Sequence, residues 1–135
     1  YVAQVSMGAD MNQTIKAIVE AEAYDGPSLI IAYAPCINHG IKKGMAVAMT
    51  EEKLAVQSGY WNIFRFNPAA EKKFSLDCKP ATVDYADFLK GEVRYTSLQL
   101  KNPARAERLW AKAAQNAKEK YAHLEKLVDL YDGTK

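Results

Sequence analysis

The sequence predicts an α/β fold: a βαβ unit first, then a small hairpin region, then a long terminal helix. Three observations carry this. Apolar runs at residues 1–6 and 28–33 flank a stretch of helical periodicity. Two strand-like runs, residues 60–66 and 73–77, surround a turn at Asn67-Pro68. Residues 102–131 bear one apolar seam at spacings of four and three.

Taken in order, residues 1–6 read as a short strand. Asp10, with Gln13 three positions on, forms a capping box that opens a helix. Ile15, Ile18 and Val19 are its expected apolar stripe, with Lys16 and Glu20 on the wet side. Asp25-Gly26-Pro27 stops it, glycine as terminator and proline just beyond. The run Ser28-Leu29-Ile30-Ile31-Ala32-Tyr33 is apolar without alternation, the pattern of a buried parallel strand. Pro35 cannot join a strand ladder, so Cys36 falls in the loop past the strand's carboxyl end. Lys42-Lys43-Gly44 is a turn, and residues 45–58 form a helix closed by Gly59. A short helix is expected over residues 84–91. Asn102-Pro103 then caps the last helix, whose seam is Trp110, Ala114, Ala117, Tyr121, Leu124, Val128 and Tyr131, with Asp132-Gly133 as its stop. A seam that narrow must pack against another surface. Left uncovered at Trp110, Tyr121 and Leu124, it is expected to drive self-association.

At 135 residues, 49% hydrophobic and 25% charged, the composition is that of one globular domain. A net charge of +2 argues against a nucleic-acid partner. No run approaches the roughly 20 apolar residues a bilayer crossing needs, so no membrane role is expected. Two cysteines and no visible signal peptide suggest a reducing cytoplasm rather than a disulfide scaffold. The chain opens Tyr1-Val2-Ala3 inside an apolar run and without Met, which suggests a piece of a longer polypeptide.

Cys36 is the residue with chemical promise. Carboxyl ends of strands are where open α/β sheets place their ligands. A thiol there is a nucleophile, a metal ligand or a small buried hydrophobe. His39, three residues on, gives no assured general base. Cys78 lies in a polar turn and reads as a surface position, and His39 and His123 read as structural or solvated. No Gly-Asp-Gly, glycine-rich phosphate loop, Cys-x-x-Cys or zinc signature occurs.

The string Tyr33-Ala34-Pro35-Cys36-Ile37-Asn38-His39-Gly40 closely resembles the pyruvate:ferredoxin (flavodoxin) oxidoreductases. The likeness extends through Glu52-Lys53-Leu54-Ala55-Val56-Gln57-Ser58-Gly59-Tyr60-Trp61, Phe74-Ser75-Leu76-Asp77 and Gly91-Glu92-Val93-Arg94-Tyr95-Thr96-Ser97-Leu98. It covers nearly the whole chain and points to the carboxyl-terminal part of the thiamine-diphosphate domain. The resemblance implies a βαβ portion of that domain in residues 1–59. Residues 60–135 would be a hairpin and helical extension packed on the parent enzyme. It implies oxidative decarboxylation of pyruvate with coenzyme A to acetyl-CoA and CO2, with electrons passing through 4Fe–4S clusters to ferredoxin or flavodoxin. Cys36 would be one thiolate ligand of a cluster, with Asn38 and Gly40 shaping its loop. Thiamine diphosphate and Mg2+ would be bound outside this chain, which would hold no catalytic or thiamine-binding residue and be inactive alone. The complete enzyme would be a homodimer. An oxidoreductase for another 2-oxo acid, or a non-catalytic interaction module with a helix-pairing end, are the rival readings.

Overall fold

The computed structural model describes residues 1–132. Its strands are β1 (Val2–Val5), β2 (Leu29–Ala32), β3 (Phe64–Phe66) and β4 (Phe74–Leu76). Its helices are α1 (Met11–Ala23), α2 (Ala48–Gln57), α3 (Tyr85–Gly91), α4 (Val93–Lys101) and α5 (Pro103–Asp132), with a 3-10 turn at Met45–Val47 leading into α2. The strands form one mixed sheet in the order β2-β1-β3-β4. β1 and β2 are parallel, as the βαβ reading requires, and β3 and β4 form the expected antiparallel hairpin. β3 also pairs antiparallel with β1. β1, β2 and β4 therefore run the same way, and their carboxyl ends share one rim of the sheet.

Register sorts the side chains onto two faces. Ala3, Arg65 and Ser75 stand in one row across β1, β3 and β4, while Val2, Phe66 and Phe74 stand in the next. The first row belongs to the α1 side, where Tyr1, Ala3, Val5 and Ala17 form a core cluster with Ala21, Tyr24 and Ile30 against it. The second row faces α5, whose Leu124, Leu127 and Tyr131 close over Val2, Phe64, Phe66 and Phe74. A second cluster, Ala55, Phe88 and Leu89, is ringed by Tyr33, Leu54, Tyr60, Trp61, Tyr85, Tyr95 and Trp110. Burying side chains of this size contributes about 1.5–3 kcal/mol each.

Several expectations are corrected. The stripe of α1 that meets the sheet is Gln13, Ala17 and Ala21, small or hydrogen-bonding residues that let helix and sheet approach closely. Ile15, Ile18 and Val19 are about half exposed on the outer face. Glu20 is not on the wet side: it accepts from the Tyr1 hydroxyl at 2.9 Å and from Arg65 Nη1 at 2.6 Å. Asp10 caps the Gln13 amide at 2.9 Å, but the Gln13 side chain turns inward to the Gln4 carbonyl and Asp77 and so does not close the box. β2 is an edge strand, with Leu29 55% and Ile31 40% exposed, because the central position falls to β1.

β3 begins only at Phe64, because Trp61 turns its indole N–H to the Val5 carbonyl at 3.0 Å and joins the aromatic cluster. The seam of α5 is covered within the chain. Leu124 is buried, Tyr121 donates to the Cys78 carbonyl at 3.2 Å and Trp110 joins the second cluster, so these three seam residues pack on the chain's own body. α4 was not anticipated: Val93-Arg94-Tyr95-Thr96 favours strand, yet Tyr95 turns to the core and holds the segment helical. The expected stop at Gly133 lies outside the described residues.

Candidate functional site

β2 stops at Ala32, and the Tyr33 amide donates to the Val5 carbonyl at 3.1 Å, the last ladder bond before Pro35. Tyr33 anchors this end of the loop by placing its ring against Trp61, 5.4 Å between centroids, and Tyr60, 6.0 Å. Beyond it the chain turns. The Gly40 amide donates to the Cys36 carbonyl at 2.9 Å, with Gly40 at φ 73°, a conformation that L side chains rarely adopt. The far end of the loop is pinned to the α3–α4 junction. The Val93 amide donates to the Gly40 carbonyl at 3.2 Å, the Lys42 amide to the Gly91 carbonyl at 2.8 Å, and Ile41 bridges Glu92. Between these anchors Cys36, Ile37, Asn38 and His39 are exposed, Ile37 to 81%. Rigid ends and a bare tip present the Cys36 thiol outward.

Cys78 has a different setting. It is half-buried beneath α5, its sulfur 3.9 Å from the Asn62 amide nitrogen, and burial pushes its thiol pKa up. It follows β4 whereas Cys36 follows β2, so their strands lie three spacings apart, about 14 Å. The expected surface turn is thus partly covered, though a thiol held protonated is a poor ligand. His123 is exposed on α5, and Lys42 and Lys43 are exposed on their turn. Among the described residues no three His, Cys, Asp or Glu side chains come together as a metal-holding group.

Two side chains behind the loop were not singled out by sequence. Glu51 and Glu92 are each about 95% buried, and each keeps one carboxylate oxygen, Oε1, without a hydrogen-bond partner. Glu51 Oε1 lies against the backbone at Gly91, where an added Cβ would meet it at 2.7 Å. Burial raises both carboxyl pKa values above the ordinary range. Glu51 raises that of Glu92 further, while Lys43 and Arg94 act weakly the other way. Neighbouring Glu52 accepts the Gly8 amide at 2.7 Å and the Ser6 hydroxyl at 3.4 Å through Oε2, tying the loop after β1 to α2. An acidic residue in the first turn of a helix, as Glu51 is in α2, or just before one, as Glu92 is before α4, is an ordinary surface pattern, so no signal marked either as buried. A cleft lined by Gly59, Val83, Tyr85, Ala114, Ala117 and Tyr121 includes no residue of the Cys36 loop.

No family model matches the chain. Individual relatives do. It is 53% identical over 133 residues, 96% of its length, to the pyruvate:ferredoxin oxidoreductase of Moorella thermoacetica. It is 50% identical over 132 residues, 95% of its length, to the pyruvate-flavodoxin oxidoreductase of Enterobacter agglomerans. It is 42% identical over 133 residues to the mitochondrial NADP+ pyruvate dehydrogenase of Euglena gracilis, again 96% of this chain but 7% of that protein. The chain spans 11% of the length of the first two. Among the described residues no helix is long and apolar enough to cross a membrane. Matched almost end to end at this identity, the chain is a homologue of one segment of the pyruvate:ferredoxin/flavodoxin oxidoreductases.

Proposed function

We propose that this chain is a segment of a cytoplasmic oxidoreductase that converts pyruvate and coenzyme A to acetyl-CoA and CO2, releasing two electrons that travel through 4Fe–4S clusters. Its own contribution is Cys36, one thiolate ligand of a cluster whose other ligands lie outside these residues. The observation that carries the reading is the pairing of near end-to-end similarity with an outward-facing thiol on a loop anchored at both ends. The donor set fits: a cluster takes soft thiolates, and one of them can come from a distant segment. A bound cluster would accept and pass on single electrons. Tyr33, Gly40 and the α3–α4 junction hold the loop, so that the thiolate sits at a fixed place. Thiamine diphosphate, Mg2+, pyruvate and coenzyme A engage the rest of the polypeptide, which we read as a homodimer. Residues 1–59 close the thiamine-diphosphate domain, and 60–135 extend it.

The relatives differ in the acceptor they are named for: ferredoxin, flavodoxin or NADP+. A segment common to all three does not choose the acceptor, which we take to be ferredoxin or flavodoxin here.

The test uses the complete polypeptide. Cys36→Ala should lose iron and acid-labile sulfide from one cluster, lose its paramagnetic signal and abolish ferredoxin reduction, with Cys36→Ser little better. Cys78→Ala should keep all three. A full iron complement and normal reduction in Cys36→Ala would refute the ligand assignment. Absence of iron and sulfide from the unmodified protein would favour a non-catalytic interaction module.

A further inference from the structure

The composition of β2 and its surroundings disagree. Leu29-Ile30-Ile31-Ala32 is apolar at every position, the pattern of a strand covered on both faces. β3, which is covered, alternates Phe-Arg-Phe instead. Yet β2 is an edge strand, and only Ile30, packed against the α1-side cluster, has a covered face. Leu29 and Ile31 point to the opposite face, where α5 reaches β3 and β4 but not β2.

The open edge itself is bare. The Leu29 and Tyr33 amides bond to β1, so the alternating Ile30 and Ala32 amides point away from it. Charged side chains, proline or a bulge usually blunt such an edge; β2 has none of these within it, prolines standing only beyond its ends at Pro27 and Pro35. The sheet's other edge, β4, is flanked by Lys72, Lys73 and Asp77 and overlain by α5. One edge is finished and the other is open.

We infer that β2 is an interior strand of a larger sheet in the complete polypeptide, with a further strand paired along its open edge and a helix packed over Leu29 and Ile31. The occupant is the remainder of the same protein, which in the relatives accounts for nearly nine-tenths of the length. This rests on the segment reading above and names the surface by which the segment joins its parent. Parallel strands are joined by crossovers that place helices on the sheet's faces, so the strand and the helix come as one unit. Cys36 leaves the same strand end, so the body that completes the sheet is also placed to meet the thiol.

The experiment compares the 135-residue chain with the complete polypeptide by residue-resolved amide exchange and by thermal unfolding of Ile31→Lys in each. Ile30 and Ala32 amides should exchange rapidly in the chain and be at least a hundredfold slower in the complete polypeptide. Ile31→Lys should leave the chain's midpoint unchanged and lower that of the complete polypeptide by several degrees. Equal exchange in both, or an Ile31→Lys effect that is the same in both, overturns the inference. A concentration-dependent dimer of the chain that Ile31→Lys dissolves also overturns it, since a second copy would then be the occupant. Pyruvate-dependent ferredoxin reduction by the complete polypeptide, measured alongside, separates failure of this surface from failure of the functional reading.

Discussion

Arg65→Ala removes the hub of a charged network between α1 and the sheet. The guanidinium grips Asp77 with two parallel bonds, Nε to Oδ2 at 2.8 Å and Nη2 to Oδ1 at 2.9 Å, and reaches Glu20 Oε1 at 2.6 Å. Side-chain exposure is 11% for Arg65, 15% for Asp77 and 25% for Glu20. Without the cation, two carboxylates share a recess with the Tyr1 hydroxyl, the Gln13 amide and the exposed Lys16 ammonium, 3.9 Å from Glu20 Oε1, left to offset their charge. Exposed ion pairs contribute about 0–1 kcal/mol, and breaking fully buried ones costs about 3–5 kcal/mol. Exposures between a tenth and a quarter place this network between the two, at about 2–3 kcal/mol. Urea unfolding of the chain followed by circular dichroism should show that loss at an unchanged m-value, with a fall in Tm on the order of 10 °C. Arg65→Lys should recover less than half, since a point charge cannot replace the two-pronged grip. Asp77→Ala alone and the double variant should reveal a coupling of about 1–2 kcal/mol. A loss below about 0.5 kcal/mol for Arg65→Ala, within the ordinary range for a surface substitution, would refute the reasoning.

Glu92→Gln tests the buried carboxyl pair. Burial holds the folded-state pKa values of Glu51 and Glu92 above their unfolded values, so the folded chain retains protons that the unfolded chain has released. Stability should therefore fall as pH rises from the ordinary glutamate value through the raised folded ones. Urea midpoints measured against pH should show Glu92→Gln flatter than the parent over that window, and parallel curves would reject the pair. Phe88→Ala empties a fully buried position where the ring lies 4.4 Å from that of Tyr60. Its expected cost is about 3–5 kcal/mol, and an equilibrium denaturation loss under half of that would mean that the aromatic cluster collapses to fill the void.

Elements whose signals are local were legible in the sequence. Asp10 and Asn102 cap helices where expected, because capping needs only the next three amides, and the short helix expected over residues 84–91 forms with Asp84 as its cap. The parallel pairing of β1 and β2 and the β3–β4 hairpin followed from apolar runs and turn residues. The errors came from the question of which surface meets which. Ile15, Ile18 and Val19 have the right spacing for a core stripe, but the helix rotates to bring Ala17 and Ala21 against β1. The α5 seam was read correctly as a contact surface, and its partner, the Phe64–Phe66–Phe74 face, lies roughly fifty residues upstream, where periodicity carries no information. The Cys36 loop was found through its proline and its place after a strand. The acids behind it were invisible because a carboxylate's burial depends on where the loop crosses α3 and α4.

Placing the cover of the sheet at residues 124–131 has a consequence for biosynthesis. Phe64, Phe66 and Phe74 leave the ribosome well before Leu124, Leu127 and Tyr131, the residues that will shield them. During that interval an aromatic surface is open to solvent, the kind of exposure that recruits chaperones or feeds aggregation. Translational pausing within α5 would lengthen the interval, and a nonsense codon anywhere before Leu124 would make it permanent. The hazard of a truncated product thus arises from an orphaned sheet far upstream of the missing residues.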